Sequence, residues 1–214
     1  MVSRTSRALW ICCGVLAGRV SGQTIQCIAD SPERRGEPGC SIIDIRPLPD
    51  RKSDKVYWHI DAFETLEDAR RAAGSSGVAF SAHGQVWAAA VDADSAGHRA
   101  AGHRAVVGPI SLQPGRAYMM QTMSAYFLPG QRTRVHTHAG PEAWYVIAGE
   151  QCLETPRRLI RARAGEGAIV EAGDTMRLVA TGHVPRRSLV LILYDAGRVP
   201  MQIIEPAPVL KVCS

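Results

Sequence analysis

No Gly-x-Ser-x-Gly elbow, phosphate-binding loop or Cys-x-x-Cys pair occurs in this chain, which removes the common signatures of serine hydrolases, nucleotide enzymes and thiol oxidoreductases. Gly165-Glu166-Gly167 is a turn, not a nucleotide fingerprint. No basic stripe interleaved with aromatics is present, and the arginines at 157, 158, 161 and 163 fall at a strand connection, so the reading is no nucleic acid. Long apolar runs are also missing. The stretch from Ala8 to Ala17 is too short to span a bilayer, and with Arg4 and Arg7 ahead of it and Val20, Ser21 and Gly22 after it, residues 1–22 read as a secretory signal peptide. The expectation is a secreted or periplasmic protein with no stable membrane anchor after processing. Without that leader 22 basic and 20 acidic side chains remain, so the net charge of +5 resides mostly in the segment to be removed.

The 13 prolines and 20 glycines are spread along the chain with short apolar runs between them, which predicts an all-β body of many short strands. Residues 23–54 are polar and turn-rich and read as an extended or flexible segment. The domain proper is placed at 55–210. Lys55 to Ile60 predicts a strand. Thr65 followed by early acids, late arginines and Gly74 predicts one short helix. Strands are expected over 77–81 and 85–91, turning at His83-Gly84, then over 104–107, 117–128, 143–147, 151–153, 159–162, 168–171, 175–180 and 188–194. The last, SLVLILY, is apolar enough to be buried on both faces. Between 96 and 105 the pentapeptide AGHRA occurs twice; its period matches neither helix nor strand, so His98 and His103 are read as solvent-loop residues.

Four cysteines, Cys27, Cys40, Cys152 and Cys213, follow the leader. An even number in an exported chain permits two disulfides. Cys27 with Cys40 and Cys152 with Cys213 is the pairing proposed from their positions.

The chemistry concentrates in VHTHAGPEAWYVIAG. On a strand, residues i and i+2 share a face, so His136 and His138 present adjacent rings. Gly140-Pro141 then breaks the strand and Glu142 opens the next. If the chain turns back there, two imidazoles and one carboxylate converge on one point, a set suited to a divalent cation. Trp144 and Val146 share the face of Glu142, and Tyr126 and Leu128 precede the motif; Tyr126 and Trp144 are therefore pocket candidates, with core packing the alternative for both.

Gly130, five residues, His136, one, His138, three, Glu142, six, Gly149 resembles position for position the first motif of the cupin superfamily. The resemblance covers roughly residues 117–195. It implies a double-stranded β-helix or jelly-roll barrel, with the earlier strands adding to the barrel wall, and a metal (Fe, Mn, Ni, Cu or Zn) held by His136, His138 and Glu142. The family's second motif is degenerate here. Gly165 and Gly173 match, but Glu171 replaces its proline, Met176 its histidine and Ala180 its asparagine.

Three readings stay open at that fourth position. The metal is held by three residues with Met176 as an apolar wall; or Met176 is a weak thioether ligand, which favours copper; or the barrel has lost metal and keeps a polar patch in a small-molecule pocket. His183 is a weaker substitute, since an unbroken strand from Met176 would point it to the opposite face. The functions implied are a metal-dependent dioxygenase or related oxidoreductase acting on a small organic molecule, or a non-catalytic barrel that binds a small ligand or metal. Such barrels often pair as homodimers, and no residue here marks the face.

Overall fold

Leu189, Leu191 and Leu193 face one side of their strand and Val190, Ile192 and Tyr194 the other, and all six are buried. The run is apolar on both faces because it lies between two cores. A computed structural model describes residues 24–25, 27–29, 37–96 and 102–213 of the chain. Its strands, in chain order, are β1 (Thr24–Ile25), β2 (Cys27–Ala29), β3 (Gly39–Pro47), β4 (Lys55–Phe63), β5 (Val78–Ala82), β6 (Gln85–Asp92), β7 (His103–Ser111), β8 (Tyr118–Phe127) and β9 (Arg132–Thr133). Then come β10 (His136–His138), β11 (Glu142–Ala148), β12 (Glu150–Glu154), β13 (Leu159–Arg163), β14 (Gly167–Val170), β15 (Arg177–Thr181), β16 (Arg186–Asp195) and β17 (Met201–Ile203). The helix α1 (Leu66–Ala73) stands where it was predicted, with the Thr65 side chain accepting from the Asp68 amide and Gly74 ending it at positive φ.

The barrel is two facing sheets. One has the order β14-β11-β16-β8-β3-β2 and the other β1-β9-β15-β12-β13. Between them lies a core built from Met123, Phe127, Trp144, Leu153, Leu178 and Ile192, among others. Each strand contributes alternate residues to this interior, as the pleat requires.

A third layer sits outside. The sheet β5-β6-β4-β7 does not join the barrel wall, which corrects the expectation drawn from the resemblance. It packs Val56, Trp58, Ile60, Phe80 and Trp87 against the outward residues of the six-stranded sheet, Met120, Tyr145, Leu189, Leu191 and Leu193 among them. The reason is in the pattern: β8, β11 and β16 carry apolar side chains on both faces, and the outer set needs a cover. Helix α1 in turn covers the far side of that sheet through Ala69, Ala73 and Ala88.

The segment 23–54 is also different from the sequence reading. It supplies β3, nine residues paired antiparallel with β8, with Cys40 buried. Its isoleucines alternate poorly with its charges, so periodicity did not reveal it; a bulge between Ile42 and Asp44 breaks the alternation. Cys152 and Cys213 form a disulfide, and Cys213 also donates its amide to Glu154 at 2.8 Å, which ties the C-terminal tail across β12. Cys40 is disulfide-bonded as well and stands opposite Cys27 in the β2–β3 register; the side chain of Cys27 lies outside the described residues, as do residues 1–22 and His98.

Candidate metal centre

The site is assembled by the turn between β10 and β11. Gly140 lies so close to β16 that a Cβ there would fall 1.7 Å from the Leu193 carbonyl oxygen, and Pro141 accepts a hydrogen bond from the Leu193 amide at 3.0 Å. That contact folds Glu142 back beneath the two histidines. His136, His138 and Glu142 each offer one ligand atom, and these atoms lie within 4.8 Å of one another. All three side chains are buried. Among the described residues this is the one group of histidine, cysteine, aspartate or glutamate so arranged.

The protons are placed by the backbone. Nδ1 of His136 lies 2.7 Å from the Arg134 carbonyl oxygen and Nδ1 of His138 lies 2.9 Å from that of Pro200. A carbonyl can only accept, so each Nδ1 carries the hydrogen and each neutral ring presents a bare Nε2 to the interior. Nε2 of His138 then faces Oε2 of Glu142 at 3.0 Å. Neither atom has a hydrogen-bond partner other than, when His138 is protonated, the other atom of this pair. Two buried acceptors turned toward each other are costly unless a cation or a proton lies between them. Donor types, backbone-fixed tautomers and spacing all fit a divalent cation, whose bonds to such atoms are about 2 Å long.

Charge behaviour agrees with this arrangement. Burial, with His138 next to it, holds the His136 imidazole below its ordinary range, against the opposing pull of Glu142 and the Arg134 carbonyl. Burial also opposes protonation of His138, but the adjoining Glu142 carboxylate and the Pro200 carbonyl outweigh it, so His138 lies above the ordinary range. Without a cation, a proton on His138 Nε2 joins that ring to the Glu142 carboxylate.

Met176 is placed directly against this set. It exchanges both backbone hydrogen bonds with His136, at 2.8 and 3.0 Å, as an antiparallel bridge. Residues opposed in that way project to the same face, and Met176 is buried and lines the same cavity as the three ligand atoms. His183 is exposed in the turn before β16. Trp144 lines the cavity. Tyr126 does not, and this corrects its selection: Gln121, Met123, Ala125 and Phe127 are the β8 residues that turn inward, so Tyr126 faces out, where Arg187 lies over its ring at 5.8 Å. His103, read as a loop residue, opens β7 and pairs with the buried Asp61 at 3.1 Å, remote from the cluster.

Sequence reasoning missed two features of this cavity, which has a volume of about 200 Å³. The first is β17, which pairs with β10 so that Ile203 stands opposite His136 and Met201 opposite His138, and whose approach carries the Pro200 carbonyl that orients His138. Three residues after a proline give too little pattern to detect. The second is Arg186, fully buried, its Nε donating to Gln151 Oε1 at 2.7 Å and its guanidinium 5.2 Å from the Phe127 ring centre. Burial lowers its pKa to about 9 against the opposing influence of Glu142, so it remains charged at neutral pH. The signal existed: the inward alternation Val190, Ser188 extends back by two to Arg186, but Arg186-Arg187 reads as a solvated turn.

No protein-family model and no curated protein matches the chain. Solved structures do. A conserved protein with a double-stranded β-helix domain from Klebsiella pneumoniae is 21% identical over 46% of this chain and 79% of its own, with a TM-score of 0.36. A cupin-like protein from Thermotoga maritima is 16% identical over 40% of this chain and 64% of its own, TM-score 0.37. A DMSP lyase from Ruegeria pomeroyi is 19% identical over 42% of this chain and 45% of its own, TM-score 0.36. The chain's own strands make an all-β fold of two facing, mostly antiparallel sheets. Each likeness spans less than half of the chain, and the chain's chemistry is argued from its own residues. The two glycines that bracket the ligand residues both lie in turns at positive φ, Gly130 and Gly149, and a Cβ on Gly149 would meet the Pro185 and Val184 carbonyls at 2.8 Å.

Proposed function

We propose that this chain is an exported, metal-dependent cupin enzyme that transforms a small organic molecule, most directly an oxygenase or related oxidoreductase. The observation that carries the metal is the convergence of three buried ligand atoms of His136, His138 and Glu142 within 4.8 Å, with both Nδ1 atoms committed to backbone carbonyls so that the Nε2 atoms face the cluster. When bound, a divalent cation supplies Lewis-acid or redox chemistry at the cavity wall. His136 and His138 hold it as neutral donors, and Glu142 offsets part of its charge. Three protein ligands leave coordination positions free for substrate. The apolar lining excludes bulk water and strengthens electrostatic interactions inside. Export is supported by the leader-like order of residues 1–22 and by the Cys152–Cys213 disulfide, a bond that persists in oxidising compartments.

Oxygen electrode measurements on protein loaded with iron(II), manganese(II), nickel(II) or copper(II), in the presence of simple phenols and enols, test the activity. Uptake above that of the His136→Ala, His138→Ala double variant supports an oxygenase. Stoichiometric metal without turnover of any such compound supports the second reading, a barrel that binds a small ligand, which the buried Met176 beside His136 favours over a fully liganded redox centre. N-terminal sequencing of the protein recovered outside the cytoplasm tests processing near residue 22.

A further inference from the structure

Arg186 presents an unusual combination. It is 0% exposed, yet its Nη2 is buried without a hydrogen-bond partner. The amide nitrogen of Gln151, whose oxygen holds Arg186 Nε, is likewise buried and unpartnered. Two N–H groups are thus left without an acceptor, and a buried donor in that state is costly, more so when charged. An acceptor that reaches the Arg186 guanidinium removes that cost. Arg186 lines the same cavity as His136, His138 and Glu142, so that group can be delivered by a ligand of the cavity.

Charge makes the same selection. Glu142 is the acidic group that acts on Arg186, and it is also the carboxylate of the metal cluster. Once Glu142 serves a dication, the guanidinium has no counter-anion of its own, and the cavity carries a positive surplus. A neutral ligand leaves that surplus in place; a monoanion reduces it. Arg186 begins β16, six residues before Ile192, which stands opposite Glu142, and its long side chain comes near enough to Glu142 to feel that charge. Arginine and metal cluster share one cavity, whose apolar lining includes Met123, Phe127, Trp144, Leu178, Val190 and Ile192.

We propose that Arg186 is the carboxylate anchor of this cavity, held in place by Gln151, and that the ligand is a small organic acid with an apolar alkyl or aryl body whose far end reaches His136, His138 and Glu142. The claim about the far end rests on the metal reading above; the anchor itself does not. A planar guanidinium suits this role because it offers parallel N–H groups to one carboxylate.

Calorimetric titration of the zinc-loaded protein with benzoate and hexanoate, beside benzamide and hexanamide, tests it. The acids bind, and the isosteric amides bind at least about tenfold more weakly. Arg186→Met weakens the acids by roughly tenfold to a hundredfold, as expected for lost charged hydrogen bonds, and leaves zinc stoichiometry unchanged. Arg186→Lys recovers part of the loss. The acid-to-amide comparison needs no variant, so a folding defect in Arg186→Met does not spoil the test. Acids and amides binding alike, or no acid binding at millimolar concentration, overturns the anchor. If zinc fails to bind while the acids are still preferred, the metal reading falls and the anchor stands.

Discussion

Nε2 of His138 and Oε2 of Glu142 face one another at 3.0 Å inside the barrel, while Nδ1 of His138 is committed to the Pro200 carbonyl. Glu142→Gln keeps the shape and supplies an N–H to that gap. Metal affinity, read by chelator competition, falls by more than the ~10–100-fold that loss of an outer hydrogen-bond partner gives. An unchanged affinity would remove Glu142 from the ligand set.

Met176 offers a gain-of-function test. Because it is the hydrogen-bonded cross-strand partner of His136, a histidine there points into the same cavity. Met176→His is expected to tighten zinc binding by about tenfold or more, since imidazole is a far better zinc ligand than thioether. An affinity equal to that of the parent protein would place residue 176 out of reach of the ion.

The C-terminal tail is held by the Cys152–Cys213 disulfide, which closes a separation of 61 residues. On the chain-entropy account such a loop contributes about 4 kcal/mol. Cys213→Ser should lower the denaturant midpoint accordingly, while metal stoichiometry stays the same because the cluster lies on β10 and β11. Loss of metal together with the disulfide would tie the tail to the site.

His83 governs a pH effect separate from the metal. Its Nε2 is 3.2 Å from the Ser188 carbonyl, and burial, followed by the nearby Arg187 and Arg186, lowers its pKa against the opposing pull of that carbonyl. The unfolded chain, with the ordinary value of 6.5, therefore takes up a proton that the folded chain resists. Its contribution is complete above pH 6.5 and declines as pH falls through the folded value. His83→Asn, which tolerates the positive φ of 54° at this turn, should flatten the difference between urea midpoints at pH 7.5 and 5.5. An identical slope in parent and variant contradicts the assignment.

How far the sequence could be read depended on local pattern. Helix α1, the His83-Gly84 turn and the two-faced strand of Leu189–Tyr194 follow from caps, turn residues and apolar alternation within a few positions. His136, His138, Glu142 and Trp144 were legible because strand period and a Gly-Pro break set their directions. Tyr126 was misplaced by a single residue of phase, which on a strand reverses the face. The outer sheet, β3 and β17 depend on pairings distant in sequence, which no local window contains. Arg186 is the instructive omission. A charged residue at the end of an apolar strand reads as solvated unless the partner across the barrel, here Gln151, is known.

The central claim is a metal on His136, His138 and Glu142, and the most direct measurement is elemental analysis of protein purified without metal-affinity resin, beside the His136→Ala, His138→Ala double variant. The account predicts one equivalent of a transition metal in the parent protein and none in the variant. Equal trace metal in both would contradict it.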